Sequence, residues 1–154
     1  MRHAAGTLLC MIGLVGCAAA PSPYGNFSVA TPAGVDRTVV EDTVRQLTTV
    51  YPPARTRFAL QQTTSDAFGQ RLMASLRAKG YELQESAQES PKERPLRAED
   101  AAVTTATAVP LRYVFDRAGD LYRLTLVMGT QSLTRAYLAQ NGTAHPAGAW
   151  ARKE

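Results

Sequence analysis

The 154-residue sequence predicts an α+β domain: a small, mostly antiparallel sheet with two helices packed on one face. Two helical stripes and one run of alternating strands predict it. Val40, Val44, Leu47 and Tyr51 follow one another at spacings of 4, 3 and 4, and Phe68, Leu72 and Leu76 recur at i, i+4, i+8, so each set lines one side of a helix. Tyr122, Leu124, Leu126 and Met128 alternate with Arg123 and Thr125, the period-2 pattern of a half-buried strand.

The elements follow in order. Asp36 or Thr38 opens the first helix, because Thr38-Val39-Val40-Glu41 fits a capping box, and Pro52-Pro53 stops it. Thr56 to Gln62 alternates with Phe58 and Leu60 on one side and reads as a strand. Ser65-Asp66 caps the second helix, which ends at Arg77 and Lys79 with Gly80 as its left-handed cap. Tyr81-Glu82-Leu83 begins a short strand. Residues 84–101 change character: they carry eight charged side chains, two prolines and one large apolar residue, Leu96, and read as a mobile charged surface loop. Val103 to Phe115 is β-branched and alternating around Pro110, which places that part on an edge or a bulge. Arg117-Ala118-Gly119-Asp120 and Gly129-Thr130-Gln131 are turns. Ser132 to Ala139 presents Leu133 and Tyr137 on one face and completes a three-strand meander. The turn signal Asn141-Gly142 opens residues 141–154, a C-terminal tail of small and polar residues. Its one large side chain, Trp150, either folds back onto the domain or is offered to a partner. The folded unit is therefore 36–140.

The N-terminus carries an address. Arg2 and His3 precede a 13-residue apolar stretch, Ala4 to Gly16, which is too short to span a bilayer and suits a cleaved signal. It ends in Leu14-Val15-Gly16-Cys17, which resembles the lipobox of bacterial lipoproteins. Residues 1–16 are then a lipoprotein signal peptide, and Cys17 is the lipidated (diacylglyceryl, palmitate-bearing) N-terminus. Ordinary cleavage after Ala18-Ala19-Ala20 is the alternative. Ala18 in place of aspartate implies, by the same resemblance, the outer membrane with the domain facing the periplasm. Residues 17–35, with Pro21, Pro23 and Pro32, read as a flexible tether.

Composition limits the chemistry. A net charge of +4, without a dense Lys/Arg run, gives no reason to expect direct nucleic-acid binding. Of two cysteines, Cys10 leaves with the signal and Cys17 is lipidated, so no thiol remains for a disulfide or a metal. No G-x-S-x-G elbow or phosphate loop occurs. His145 reads as an exposed side chain, Glu41-Asp42 and Glu99-Asp100 as solvated charge, and Asp116 and Asp120 as turn formers. Tyr81, Tyr113, Phe115, Tyr122 and Tyr137 read as core. The expectation is a protein that is not an enzyme, with no catalytic, cofactor-binding or metal residues and Cys17 as its functional position.

Three stretches carry a family resemblance: Ser65-Asp66-Ala67-Phe68-Gly69, Leu76-Arg77-Ala78-Lys79-Gly80-Tyr81 and Pro110-Leu111-Arg112-Tyr113-Val114-Phe115-Asp116. With the lipobox and the overall length, they resemble the TrbH family of conjugal-transfer (mating-pair formation, type IV secretion) lipoproteins. The helix ending in Gly80-Tyr81 is also similar to the small N0-like domains of secretins. The resemblance implies a non-enzymatic part of a DNA-transfer channel, with outer-membrane and periplasmic channel subunits as partners and the membrane reached through the lipid. A stand-alone envelope lipoprotein that binds a small ligand or peptidoglycan is the other reading.

The lipobox has a direct check. Mass spectrometry of the processed protein should find Cys17 at the N-terminus with added acyl mass; a mature N-terminus elsewhere and an unmodified Cys17 would end that reading.

Overall fold

The computed structural model describes residues 22–28, 31–85 and 108–154. In order these form β1 (Gly25–Asn26), α1 (Ala33–Val50), a 3-10 turn (Pro53–Arg55), β2 (Arg57–Leu60), α2 (Ala67–Ala78) and β3 (Glu82–Glu85). Then come β4 (Val109–Ala118), β5 (Leu121–Met128), β6 (Gln131–Gln140), β7 (Thr143–Pro146) and β8 (Ala151–Lys153). The class is α+β, as expected, and both helices cover one face.

The sheet corrects the expectation of a small, mostly antiparallel one. It is mixed and has eight strands, in the order β3-β2-β4-β5-β6-β7, with β1 added to β4 and β8 to β6. β4, β5 and β6 form the expected antiparallel meander. On the other side β1 and β2 both run parallel to β4, and β3 runs parallel to β2. Parallel neighbours need a crossover of a dozen or more residues, and α2 supplies it between β2 and β3. A strand of two residues, as β1 is, has no periodicity to read.

Two pairs of short strands each complete one long edge. β2 covers Val109–Leu111 of β4 and β1 covers Val114–Phe115. Between them the Gln62 side chain takes the ladder's place: its Oε1 accepts from the Tyr113 N–H at 2.8 Å. On the outer side of β6, β7 pairs with Tyr137–Gln140 and β8 with Ser132–Thr134. The link between them stays bound, with the Ala147 N–H donating to the Ala136 carbonyl at 2.9 Å. Residues 141–154 are thus two strands of the sheet in place of a tail, and Trp150 is folded back against the core.

Pro110 is corrected too. It lies inside the sheet, between β2 and β5. It is tolerated because the β4–β5 ladder closes at Leu111–Met128, which leaves Pro110 beside turn residue Gly129, whose N–H donates to the Pro110 carbonyl at 3.2 Å.

α1 starts at Ala33, earlier than Asp36 or Thr38, because Pro32 fixes the entry and its carbonyl accepts from Val35 and Asp36. Thr38 is therefore inside the helix, donating to the Gly34 carbonyl at 3.0 Å, and forms no cap. Part of the stretch read as tether, 25–26 and 33–35, belongs to the domain. The signal peptide, Cys17, residues 86–101 of the charged loop and residues 103–107 of the strand expected over Val103 to Phe115 lie outside the described residues, while Gln84 and Glu85 belong to β3.

α1 is rich in valine and threonine, which are poor helix formers, so packing holds it. Val35, Val39, Val40, Val44 and Leu47 are buried, and Thr43 quiets its buried hydroxyl by donating to the Val39 carbonyl at 2.7 Å. α2 conforms to expectation: Asp66 is the N-cap, and Gly80 has φ +87°. Below the helices lie Leu111, Tyr113 and Phe115 of β4, Tyr122, Leu124, Leu126 and Met128 of β5, and Leu133 and Tyr137 of β6. Phe68 of α2 stacks on Phe115 at 4.4 Å between ring centres. The opposite sheet face is polar at its centre, where Thr125 and Thr134 share a hydrogen bond at 3.0 Å and Arg123 donates to Asp116 at 2.6 Å.

Leu72 is fully buried on the inner side of α2. Leu72→Ala should lower the unfolding free energy by about 2–5 kcal/mol in denaturant melts; an unchanged midpoint would show that this side of α2 is not core.

Candidate functional site

Two aspartates tie the helices to the sheet through tyrosine hydroxyls. In α2, the Asp66 carboxylate accepts from the Gly69 N–H at 2.9 Å and from the Tyr113 hydroxyl at 2.8 Å. A β-carbon at Gly69 would collide with that hydroxyl, so glycine is what lets β4 come this close. In α1, Asp42 Oδ2 accepts from Arg135 at 2.8 Å and from the Tyr137 hydroxyl at 2.9 Å, while Oδ1 accepts from Arg45 at 3.1 Å. Arg135 also donates to the Gly148 carbonyl at 2.8 Å, and its guanidinium lies 5.8 Å from the Trp150 ring centre. Burial, then the neighbouring carboxylate, pushes both phenols well above their ordinary range, so each tyrosine stays a donor. These contacts are structural latches, with a donor on each oxygen of both carboxylates.

Of the sequence pair Glu41-Asp42, only Glu41 is exposed; Asp42 is corrected from solvated charge to a buried anchor. Its spacing is the signal that marks it, since Val35, Val39 and Asp42 fall at i, i+4 and i+7 of one stripe. His145 is exposed on β7, as expected, and Tyr81, Tyr113, Phe115, Tyr122 and Tyr137 are core. Among the described residues no group of three His, Cys, Asp or Glu side chains is placed to hold a metal ion. Nor is any described helix long and apolar enough to cross a membrane.

A concave surface does exist on the helix layer. α1 and α2 run side by side in the same sense, and between their C-terminal halves lies a groove of about 610 Å³ lined by Glu41, Val44, Arg45, Thr48, Ser75 and Ala78, with Lys79 at its end. The exposed charges of the two helices are Arg37, Arg45, Arg71, Arg77 and Lys79 against Glu41 alone. Arg45 pairs with Asp42, and Arg77 with Glu85. Among the described residues Arg37, Arg71 and Lys79 form no ion pair.

One carboxylate oxygen, Oδ1 of Asp36, is buried without a hydrogen bond among the described residues. Asp36 lies in the first turn of α1 and is 6% exposed. Burial raises its pKa, Arg71 draws it down and Asp66 pushes it up further. A carboxyl with a raised folded pKa contributes stability below its unfolded value, about 3.9, and that stability is lost as pH rises through the folded value. Asp36→Asn should therefore raise Tm at neutral pH, with the gain shrinking toward pH values near about 4. A Tm lowered equally at both would show that the charged carboxylate is favoured in the fold.

The profile of the family described as "Conjugal transfer protein TrbH" matches residues 21–154. No curated protein and no solved structure matches the chain. The match spans the whole described domain, from β1 through both helices to β8, and the chain belongs to the TrbH family of conjugal transfer proteins.

Proposed function

We propose that this chain is an outer-membrane lipoprotein that helps to assemble or stabilise a conjugative DNA-transfer channel. It is anchored through Cys17, faces the periplasm and acts by protein–protein docking. Membership of the TrbH family carries this reading. Leu14-Val15-Gly16-Cys17 supports the anchor, since two or more acyl chains hold a protein stably at a bilayer where one does not. A non-enzymatic role accords with Asp42 and Asp66, whose carboxylates are engaged in holding the helices to Tyr137 and Tyr113 of the sheet. The partners are outer-membrane and periplasmic subunits of the channel, and tethering near the membrane raises the domain's effective concentration for them. The N0-like relationship of the fold is part of this proposal.

A mating assay separates anchor from domain. Loss of the gene should reduce conjugative transfer, and Cys17→Ser should reduce it with a folded but mislocalised domain. Normal transfer without the protein would remove the channel role and favour a stand-alone ligand-binding lipoprotein.

A further inference from the structure

We propose that the groove between α1 and α2 is the docking site for an acidic amphipathic helix of a partner protein. The proposal rests on the docking reading above and names the surface and the chemistry of its partner. Four features point to that occupant.

The first is shape. A groove between two parallel helices accepts a third helix, about 8–10 Å from each axis when the contact side chains are small. Here the floor is Val44, Thr48, Ser75 and Ala78. The second is polarity. The Thr48 hydroxyl already donates to the Val44 carbonyl at 2.7 Å, and that of neighbouring Thr49 to the Arg45 carbonyl at 3.1 Å. A dry apolar contact over them strands no donor. The third is the backbone. Both walls are helices with their amides used internally, so an extended strand would find no ladder to join.

The fourth is charge. Five exposed cations face one exposed acid on this layer; that acid, Glu41, lines the groove with Arg45, which pairs with Asp42, and with Lys79, which forms no ion pair among the described residues. Acidic side chains flanking an apolar stripe meet that pattern. Orientation follows from the dipoles. The groove lies at the C-terminal ends of α1 and α2, whose partial negative charge favours the N-terminus of an incoming helix. The partner helix therefore runs antiparallel to both, with the acids of its first turn beside Lys79. The floor offers no free N–H groups to a phosphate.

The test uses the full chain and a labelled synthetic helix of about 15 residues, with a leucine/alanine stripe flanked by glutamates. Two control peptides replace the glutamates by lysines or break the helix with prolines. Fluorescence anisotropy should show saturable binding of the acidic helix alone. That binding should weaken roughly tenfold or more between about 50 and about 300 mM salt. Ala78→Trp, which fills the groove, and Lys79→Glu should each weaken it by roughly tenfold, while Lys153→Glu on β8 should not. Thermal melts check that each variant is folded. Absence of binding, equal binding of either control peptide, or full binding by a folded Ala78→Trp protein overturns the proposal. A mating assay distinguishes the levels. Normal transfer with Ala78→Trp, where loss of the gene abolishes transfer, removes the groove and leaves the docking reading. Normal transfer without the gene removes the docking reading itself.

Discussion

Each helix of this domain is held to the sheet by one carboxylate that a buried tyrosine reaches. Apolar burial alone fixes the helices loosely: α1 presents a wide stripe of valines, and a shift of one turn would still bury valine against leucine. Asp42 and Asp66 remove that freedom. Taking a carboxylate out of water costs several kcal/mol unless its lone pairs are filled. Asp42 is filled only where Arg135 and Tyr137 converge, and Asp66 only where Tyr113 meets the first turn of α2. The glycine opposite Tyr113 follows, because a β-carbon at Gly69 would occupy the place of the hydroxyl that reaches Asp66.

The mixed sheet divides the labour of connection. Antiparallel β4, β5 and β6 are joined by tight turns at 119–120 and 129–130, where Gly119 and Gly129 take the positive φ required. The parallel strands precede them in the chain and are linked through helices. Helices therefore collect on one face, and the other face keeps the polar half of each alternating strand, including Arg112, Arg123, Thr125 and Thr134.

The strongest periodicities were the most legible. α2 has a cap, a four-residue apolar repeat and a glycine stop, and it lies where those signals put it. The meander has three strands long enough to show alternation. What escaped was short or long-range. β1 and β8 have two and three residues, and β8 is exposed throughout, so neither carries a pattern. The start of α1 was hidden by a competing local signal: Thr38-x-x-Glu41 imitates a cap, while Pro32 sets the true entry. Pro110 looked like an edge marker because the turn at Gly129 that accommodates it is 19 positions away. The candidate groove was illegible for a related reason: it is made by two helices side by side, and each helix alone shows only a polar outer surface.

The Asp42 latch has a kinetic side. Its two sheet donors stand 93 and 95 positions further along the chain. In any emergence from N- to C-terminus, at a ribosome or a membrane pore, α1 appears early and has nothing to clamp onto until β6 is out. The strands that finish the outer edge of β6 come later still. Contacts so distant in sequence delay folding, since the loop must be closed before any burial rewards it. Until β6 arrives α1 is unlatched, while α2 can already be fixed through Tyr113 of β4, so the domain closes in two stages.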